Sequence, residues 1–520
     1  MKKLCILIVL FALLMGNFSG CNTQEEPPTT APAPVLSVGY SKIDVTPKVS
    51  LPLDGYGTTG KNAAKNRWST AQETPFSAIC VAFTDADDKT VLFITLDLLN
   101  AYMADGMRMA ISTETGIPKE QIMVQCTHNH SGPALRMSSK PEVTEYVGQL
   151  TVGVLDAAKA ALADRKPAKE MFTTFSRPEG INSVRHYLLE NGTYAGDNFG
   201  DFDSAPIVGH ASVADNLLQL VKFTREGGKD VVMVNWQAHP RSTNPKTIAT
   251  SNYPGVLREY LEANMDCLPI FILGGSGNLN SSSRIKGEIR HADYQEHGKL
   301  LGEEAMAAAE RFTPMELSRI SFQEVVAGVS TYTGVQKKVW VSGLSIGNFA
   351  LVTAPFEVFD TNAMAVKETS PYQMTFYASC CNGSNSYLAT PPSYHWETRS
   401  YEARTSKWPE GAAEELQEQL TTLLQDLFAT TGNQQAEKPE GYVHAEFVPA
   451  TDGVTYQNPN PGKTDAYTQV SNGYYSFRLK NGDTDKTLLA RDSALIEKIL
   501  SATEIKLIFD EQNVVVDIAQ

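Results

Sequence analysis

The sequence predicts a mixed α/β fold in which layered β-sheets are flanked by helices, followed by a small strand-rich carboxy-terminal module. Three observations carry that expectation. Apolar runs of strand length alternate with amphipathic helical stretches along most of the chain, and Gly, Pro and Asp-rich turns separate them. A chain of 520 residues with 42% hydrophobic and 20% charged residues can bury a large core. After GNQQAEKPEG the helical spacing stops and only short strand-like runs remain (YVHAEFVP, YSFRLK, EIKLIF, NVVVDI).

The first elements follow from local pattern. FSAICVAF and TVLFITLDLL flank the polar turn DADDK and read as a hairpin, AYMADGMRMAISTETG as a helix, and QIMVQCTH as a strand. The Val, Leu and Ala spacing of EVTEYVGQLTVGVLDAAKAALADR predicts a long helix. LLQLVKF and VVMVNWQAH around REGGK form another hairpin. SNYPGVLREYLEAN should begin a helix, with Ser251 as its cap and Pro254 in its first turns. LPIFILGGSGNLN is a strand entering a glycine-rich loop, and HADYQEHGKLLGEEAMAAAERF is helical. NFALVTAPFEVF is a strand entering a helix, MTFYASC a strand running into NGSNSYLATPPSY, and EELQEQLTTLLQDLFATTG the closing helix. The expected organisation is a leader at 1–21, a Pro/Thr-rich tether at 22–35, a large catalytic-size domain at 36–432 and the small β-rich module at 440–520.

The leader MKKLCILIVLFALLMGNFSGC has two lysines, a short apolar run, small residues and then Cys21, which reads as a lipoprotein signal; Phe18 stands where such junctions carry Leu, so plain secretion is the alternative. NTQEEPPTTAPAP is too polar to fold and reads as an extended tether. The body is therefore expected on the outer face of a bacterial membrane, held by a lipid on Cys21. A net charge of −15 without any basic run excludes an electrostatic nucleic-acid partner. Cys80, Cys126, Cys267, Cys380 and Cys381 lack the spacing of a disulfide scaffold or a zinc ribbon and read as buried thiols.

The chemistry gathers in two places. CTHNHSGP places His128 and His130 at the end of an apolar strand, where strand alternation would point both to one face and Asn129 to the other. VNWQAHPRST puts His239 at the end of another such strand, and the chain has only nine histidines. Two or three imidazoles suit a metal, but satisfied polar or core histidines are the bland reading. Spacing does not say which further donor would complete a zinc site.

Taken in order, VGYSKIDVTP, PFSAICVAF, TLDLL, CTHNHSGP, INSVRHYLLENG, VNWQAHPRST, GGSGNLN, APFEVF, SYLAT and SYE resemble the catalytic domain of the neutral/alkaline, non-lysosomal ceramidase family. The resemblance implies a zinc-dependent amidase acting on the fatty-acyl amide of ceramide-like lipids through a metal-bound water. It implies zinc ligands at His128, His239, Glu357 and Tyr387, and reacting-centre roles for His130, Arg185, Asn280 and Tyr401. At Asn280 the chain departs from the family, which carries a serine there. An amide cannot act as a hydroxyl nucleophile but can donate a hydrogen bond to an oxyanion. Asp97 is expected either to orient a zinc histidine or to cap a helix. A zinc esterase or amidase on a non-lipid substrate, and a non-catalytic lipoprotein that captures lipid or glycan, are the alternatives.

Overall fold

Five of the apolar runs are strands with every residue buried, and a strand covered on both faces must lie inside a layered structure. The computed structural model describes residues 35–56 and 67–443 except 138, 190, 197, 244, 282, 286, 287, 291, 292 and 397, and in the carboxy-terminal part 454–463, 468–470, 474–480, 486–490, 497, 499–509 and 514–517. The leader, Cys21, the tether through residue 34 and most of YVHAEFVP lie outside the described residues.

The elements that position the site are β1 (Leu36–Asp44), β2 (Ser77–Asp85), β3 (Thr90–Leu96), α1 (Ala104–Thr115), β4 (Ile122–Cys126), α2 (Pro141–Ala163), β5 (Lys166–Ser176), β6 (Leu218–Arg225), β7 (Gly228–Trp236), α3 (Asn252–Met265), β8 (Leu268–Leu273), α4 (Tyr294–Ala309), β9 (Thr313–Met315), β10 (Ile320–Ser330), β11 (Gln336–Ile346), β12 (Phe349–Thr353), α5 (Asp360–Thr369), β13 (Met374–Ala378) and α6 (Ala412–Ala429). Nine strands form one sheet in the order β8-β7-β6-β5-β1-β2-β3-β4, with β9 on β5; four form a second, β10-β11-β12-β13. Both expected hairpins are present, β2 with β3 and β6 with β7. The pairs β3/β4, β7/β8 and β12/β13 are parallel, each joined by one helix, so they are β-α-β units within largely antiparallel sheets.

Side-chain alternation sorts the layers. Ile79, Val81 and Phe83 of β2, Phe93 of β3 and Met233 of β7 meet Leu344, Leu351 and Phe376 in a core between the two sheets. The alternate residues of β2, Ala78, Cys80 and Ala82, pack with Met107, Ile111, Leu150 and Val154 of α1 and α2. Leu257 and Leu301 of α3 and α4 cover Leu220, Val232 and Phe271. Val366, Leu416 and Leu420 of α5 and α6 cover Val341, Val352 and Tyr377 of the second sheet. The result is four layers, helix, sheet, sheet and helix, as the pattern predicts. Gly39 allows the closest strand–helix approach, since a Cβ there would sit 1.9 Å from the Ala161 carbonyl oxygen of α2.

Two local expectations are corrected. Ser251 stands before α3, but its side chain caps nothing and instead lies 2.9 Å from the Thr74 hydroxyl. Asp97 neither orients a histidine nor caps a helix: its carboxylate grips the Arg258 guanidinium at 2.9 and 2.7 Å and accepts from the Ser77 amide, since a buried carboxylate takes the nearest cation. The five cysteines are free and buried, and no described helix is long and apolar enough to cross a membrane. Of the carboxy-terminal runs, YSFRLK, EIKLIF and NVVVDI hold strands Tyr474–Leu479, Glu504–Phe509 and Val514–Asp517.

Candidate metal centre and cleft

His128 follows β4, His239 follows β7, Glu357 follows β12, and Tyr387 lies in the loop after β13. Loops past the carboxyl ends of parallel strands are where open α/β sheets gather ligands. A short parallel pair, Glu357–Val358 with Tyr387–Leu388, sets Glu357 directly beside Tyr387. An isolated bridge sets His239 beside Asn280, whose own two-residue strand pairs with Ser183–Val184 ahead of Arg185.

The two histidines of CTHNHSGP converge, though not by strand alternation. The strand ends at Cys126, and His128 has a left-handed backbone with φ of 61°. The buried Asn129 organises the turn, donating to the Asp97 and Thr250 carbonyls and accepting from the Ser131 amide at 2.9 Å. The ring centroids of His128 and His130 then lie 5.0 Å apart, those of His128 and His239 4.8 Å, and those of His130 and His239 5.4 Å. Gly55, at φ of 100°, permits the crowding: a Cβ there would meet the His130 ring at 2.5 Å.

Main-chain oxygens fix two of the three rings. Nδ1 of His128 lies 3.0 Å from the Leu99 carbonyl oxygen, and Nδ1 of His239 lies 2.6 Å from that of Ser276. A carbonyl only accepts, so each Nδ1 carries the proton and Nε2 faces the cleft. There Oε2 of Glu357 is 3.1 Å from Nε2 of His128 and 3.4 Å from Nε2 of His239. Zinc bound tetrahedrally at about 2.0–2.1 Å spaces its donors about 3.3 Å apart, so this set fits the ion. These three atoms and both ring nitrogens of His130 are buried without a well-aligned hydrogen bond among the described residues. Buried polar atoms left so call for a partner.

The donor atoms of His128, His130 and His239 also lie within 4.8 Å of one another. Glu357 makes the tighter set with His128 and His239. Burial works against charge on His128, but Glu357 and the Cys380 thiol outweigh it and raise its pKa well above the ordinary imidazole value. Burial likewise raises Glu357, and His128 outweighs it and holds the carboxylate well below its usual range. Burial and then Arg185 push His239 down to about 3, and burial with the neighbouring imidazoles keeps His130 well below its ordinary value. One charged imidazole thus pairs with Glu357 while two stay neutral; a divalent cation would displace the proton they share.

His128, His130, Glu357, Tyr387 and Tyr401 line a cleft of about 230 Å³ together with Asp54 and Arg136. The Tyr387 and Tyr401 rings are 5.9 Å apart, and Arg185 donates to the Tyr387 hydroxyl at 3.3 Å. Asn280 is buried beside His239; like His239 and Arg185, it packs behind the residues that line the cleft. Sequence reasoning missed Glu402, which binds both Arg185 and His186, and it missed Asp54, Tyr56 and Arg136 in the cleft lining. Glu402 had an available signal, since it directly follows Tyr401 in SYE.

No family model matches the sequence, and no curated protein matches it. Solved structures do. A ceramidase complexed with C2 superposes with a TM-score of 0.58 at 13% identity, covering 88% of this chain and 93% of the other. The neutral ceramidase of Pseudomonas aeruginosa gives 0.57 at 12%, covering 88% and 92%. The chain has the ceramidase fold. The ceramidase likeness read from ordered short motifs is therefore a likeness of fold, over 88% of this chain at 12–13% identity.

Proposed function

We propose that the chain is a zinc-dependent hydrolase that cleaves the amide of a ceramide-like N-acyl lipid. The observation that carries this reading is the convergence of Nε2 of His128, Nε2 of His239 and Oε2 of Glu357 at zinc-donor spacing in a cleft. His128, His239 and Glu357 would hold the ion, and Tyr387, paired with Glu357 across two short strands, would offer its phenol as a fourth donor. When bound, zinc supplies a Lewis acid and acidifies water.

The chain's own groups do the rest. His130, neutral at rest, would accept the proton released by the attacking water at its free ring nitrogen and pass it to the leaving amine. Arg185 and Tyr401 stabilise the oxyanion that forms on the attacked carbonyl. Asn280 supports the loop beside His239, and no side-chain hydroxyl is needed as nucleophile. From the leader alone we further propose that the enzyme lies outside a bacterial membrane, tethered at Cys21 or plainly secreted.

A second reading has one observation in its favour: among the described residues Leu99 is the sole aliphatic side chain lining the cleft. A zinc amidase or esterase on a smaller, polar acyl substrate would use the same centre. Metal analysis of the purified chain, with hydrolysis of a fluorescent N-acylsphingosine and of water-soluble N-acyl amides, decides between them. His239→Ala serves as the control. Turnover of the sphingosine amide supports the first reading and turnover of the soluble amides alone the second. Zinc without turnover of either defeats both and favours a binding protein.

A further inference from the structure

We infer that Glu402 is a positioning residue that serves hydrolysis only by holding Arg185 against the Tyr387 hydroxyl. The inference rests on the hydrolase reading of the cleft. Arg185 falls between two short strands, Ser183–Val184 and His186–Leu189. Consecutive side chains on an extended strand diverge. Here the break between the strands lets both reach one carboxylate: Nε of Arg185 donates to Oε1 of Glu402 at 2.6 Å, and Nε2 of His186 lies 2.8 Å from Oε2.

Both carboxylate oxygens are thereby engaged, and Glu402 and Arg185 are buried. The guanidinium is a planar fork, so fixing Nε and one terminal nitrogen fixes its plane. That terminal nitrogen, Nη2, donates to the Gly277 carbonyl at 2.7 Å and to the Tyr387 hydroxyl at 3.3 Å. His186 cannot swing away, because the rings of Trp396, Phe199 and Phe359 stand 4.9, 5.5 and 5.7 Å from it. Glu402 itself rides on the turn Tyr401–Thr405, which Ser400 caps through the Ala403 amide. One rigid turn therefore presents Tyr401 to the cleft and the carboxylate to the arginine behind it.

A carboxylate that acted on substrate directly and one that acted through Arg185 differ in a double-mutant cycle. Glu402→Gln, Arg185→Met and the double variant are made in the full chain, and zinc content, kcat and KM are measured on a fluorescent N-acyl amide. Glutamine keeps the side chain's length and can still accept from Arg185. We expect Glu402→Gln to lower kcat about tenfold through loss of a charged hydrogen bond, with KM and zinc content unchanged. Arg185→Met should lower kcat about 10²–10³-fold, and the double variant no further. A Glu402→Gln factor that persists in the Arg185→Met background overturns the inference. Should Glu402→Gln not fold, Glu402→Asp, which keeps the charge but is too short to span both partners, carries the same cycle. Hydrogen exchange at the Arg185 Nε–H needs no substrate: it should accelerate in Glu402→Gln, and an unchanged rate overturns the inference even if no amide is cleaved. Absence of all turnover by zinc-loaded wild type defeats the hydrolase reading instead.

Discussion

The histidine wall of the cleft and the arginine wall packed behind Tyr387 are built by different means. On the histidine wall, His128 and His239 are oriented by the carbonyls of Leu99 and Ser276, which are main-chain groups. On the arginine wall, Arg185 and His186 depend on the side chain of Glu402. Main-chain orienters survive every substitution that preserves the fold, whereas a side-chain orienter can be deleted by one codon. The histidine wall also carries backbone strain: His128, Cys380 and Ser386 have φ of 61°, 53° and 72°. Left-handed non-glycine residues cost roughly 1–3 kcal/mol each and persist only where the surroundings enforce them. The metal wall should therefore fail only when a ligand is changed, and the arginine wall should loosen by degrees.

The largest effect tests the first half of that contrast. His239→Ala should reduce bound zinc from about one equivalent to near none and abolish turnover, as metal analysis beside a rate assay will show. Arg185→Met tests the second wall: zinc should stay, while kcat falls about 10²–10³-fold for one lost oxyanion donor. Tyr401→Phe removes a single hydroxyl from the cleft, so kcat should fall about tenfold or less. The smallest effect is on stability. Burial raises the Glu402 pKa, but Arg185 and then His186 outweigh it and hold the carboxyl well below its usual range. A carboxyl depressed in the folded state stabilises above its unfolded value, about 4.3, and the contribution fades as pH falls below that. Denaturation midpoints of wild type and Glu402→Gln should thus differ more at pH 6 than at pH 3; an equal gap would mean that the pair contributes no charge-dependent stability.

The layers were legible because burial writes itself into sequence as a period. Ala78, Cys80 and Ala82 face helices while Ile79, Val81 and Phe83 face the second sheet, and a short apolar run bounded by turn residues reads as a strand covered on both sides. The site was legible where a residue type and a strand end coincide, as at His128 and His239. Reasoning by alternation failed at His128 because its conformation comes from a turn held by Asn129, not from the strand. Asp97 was misjudged because its partner Arg258 is 161 residues away, and Glu402 was passed over because Arg185 is 217 away. Such pairings are set by tertiary geometry, to which no local period refers. The ordered motifs reached a fold that a ceramidase structure shares at 13% identity.

The central claim is that Glu357, rather than His130, completes the metal set with His128 and His239. X-ray absorption at the zinc edge, with zinc stoichiometry for Glu357→Gln and His130→Gln, tests it directly. Two imidazole nitrogens with oxygen donors at about 2.0–2.2 Å, zinc lost in Glu357→Gln and zinc kept in His130→Gln are the predicted results. Three imidazoles at the metal, with zinc lost in His130→Gln and retained in Glu357→Gln, would contradict the account.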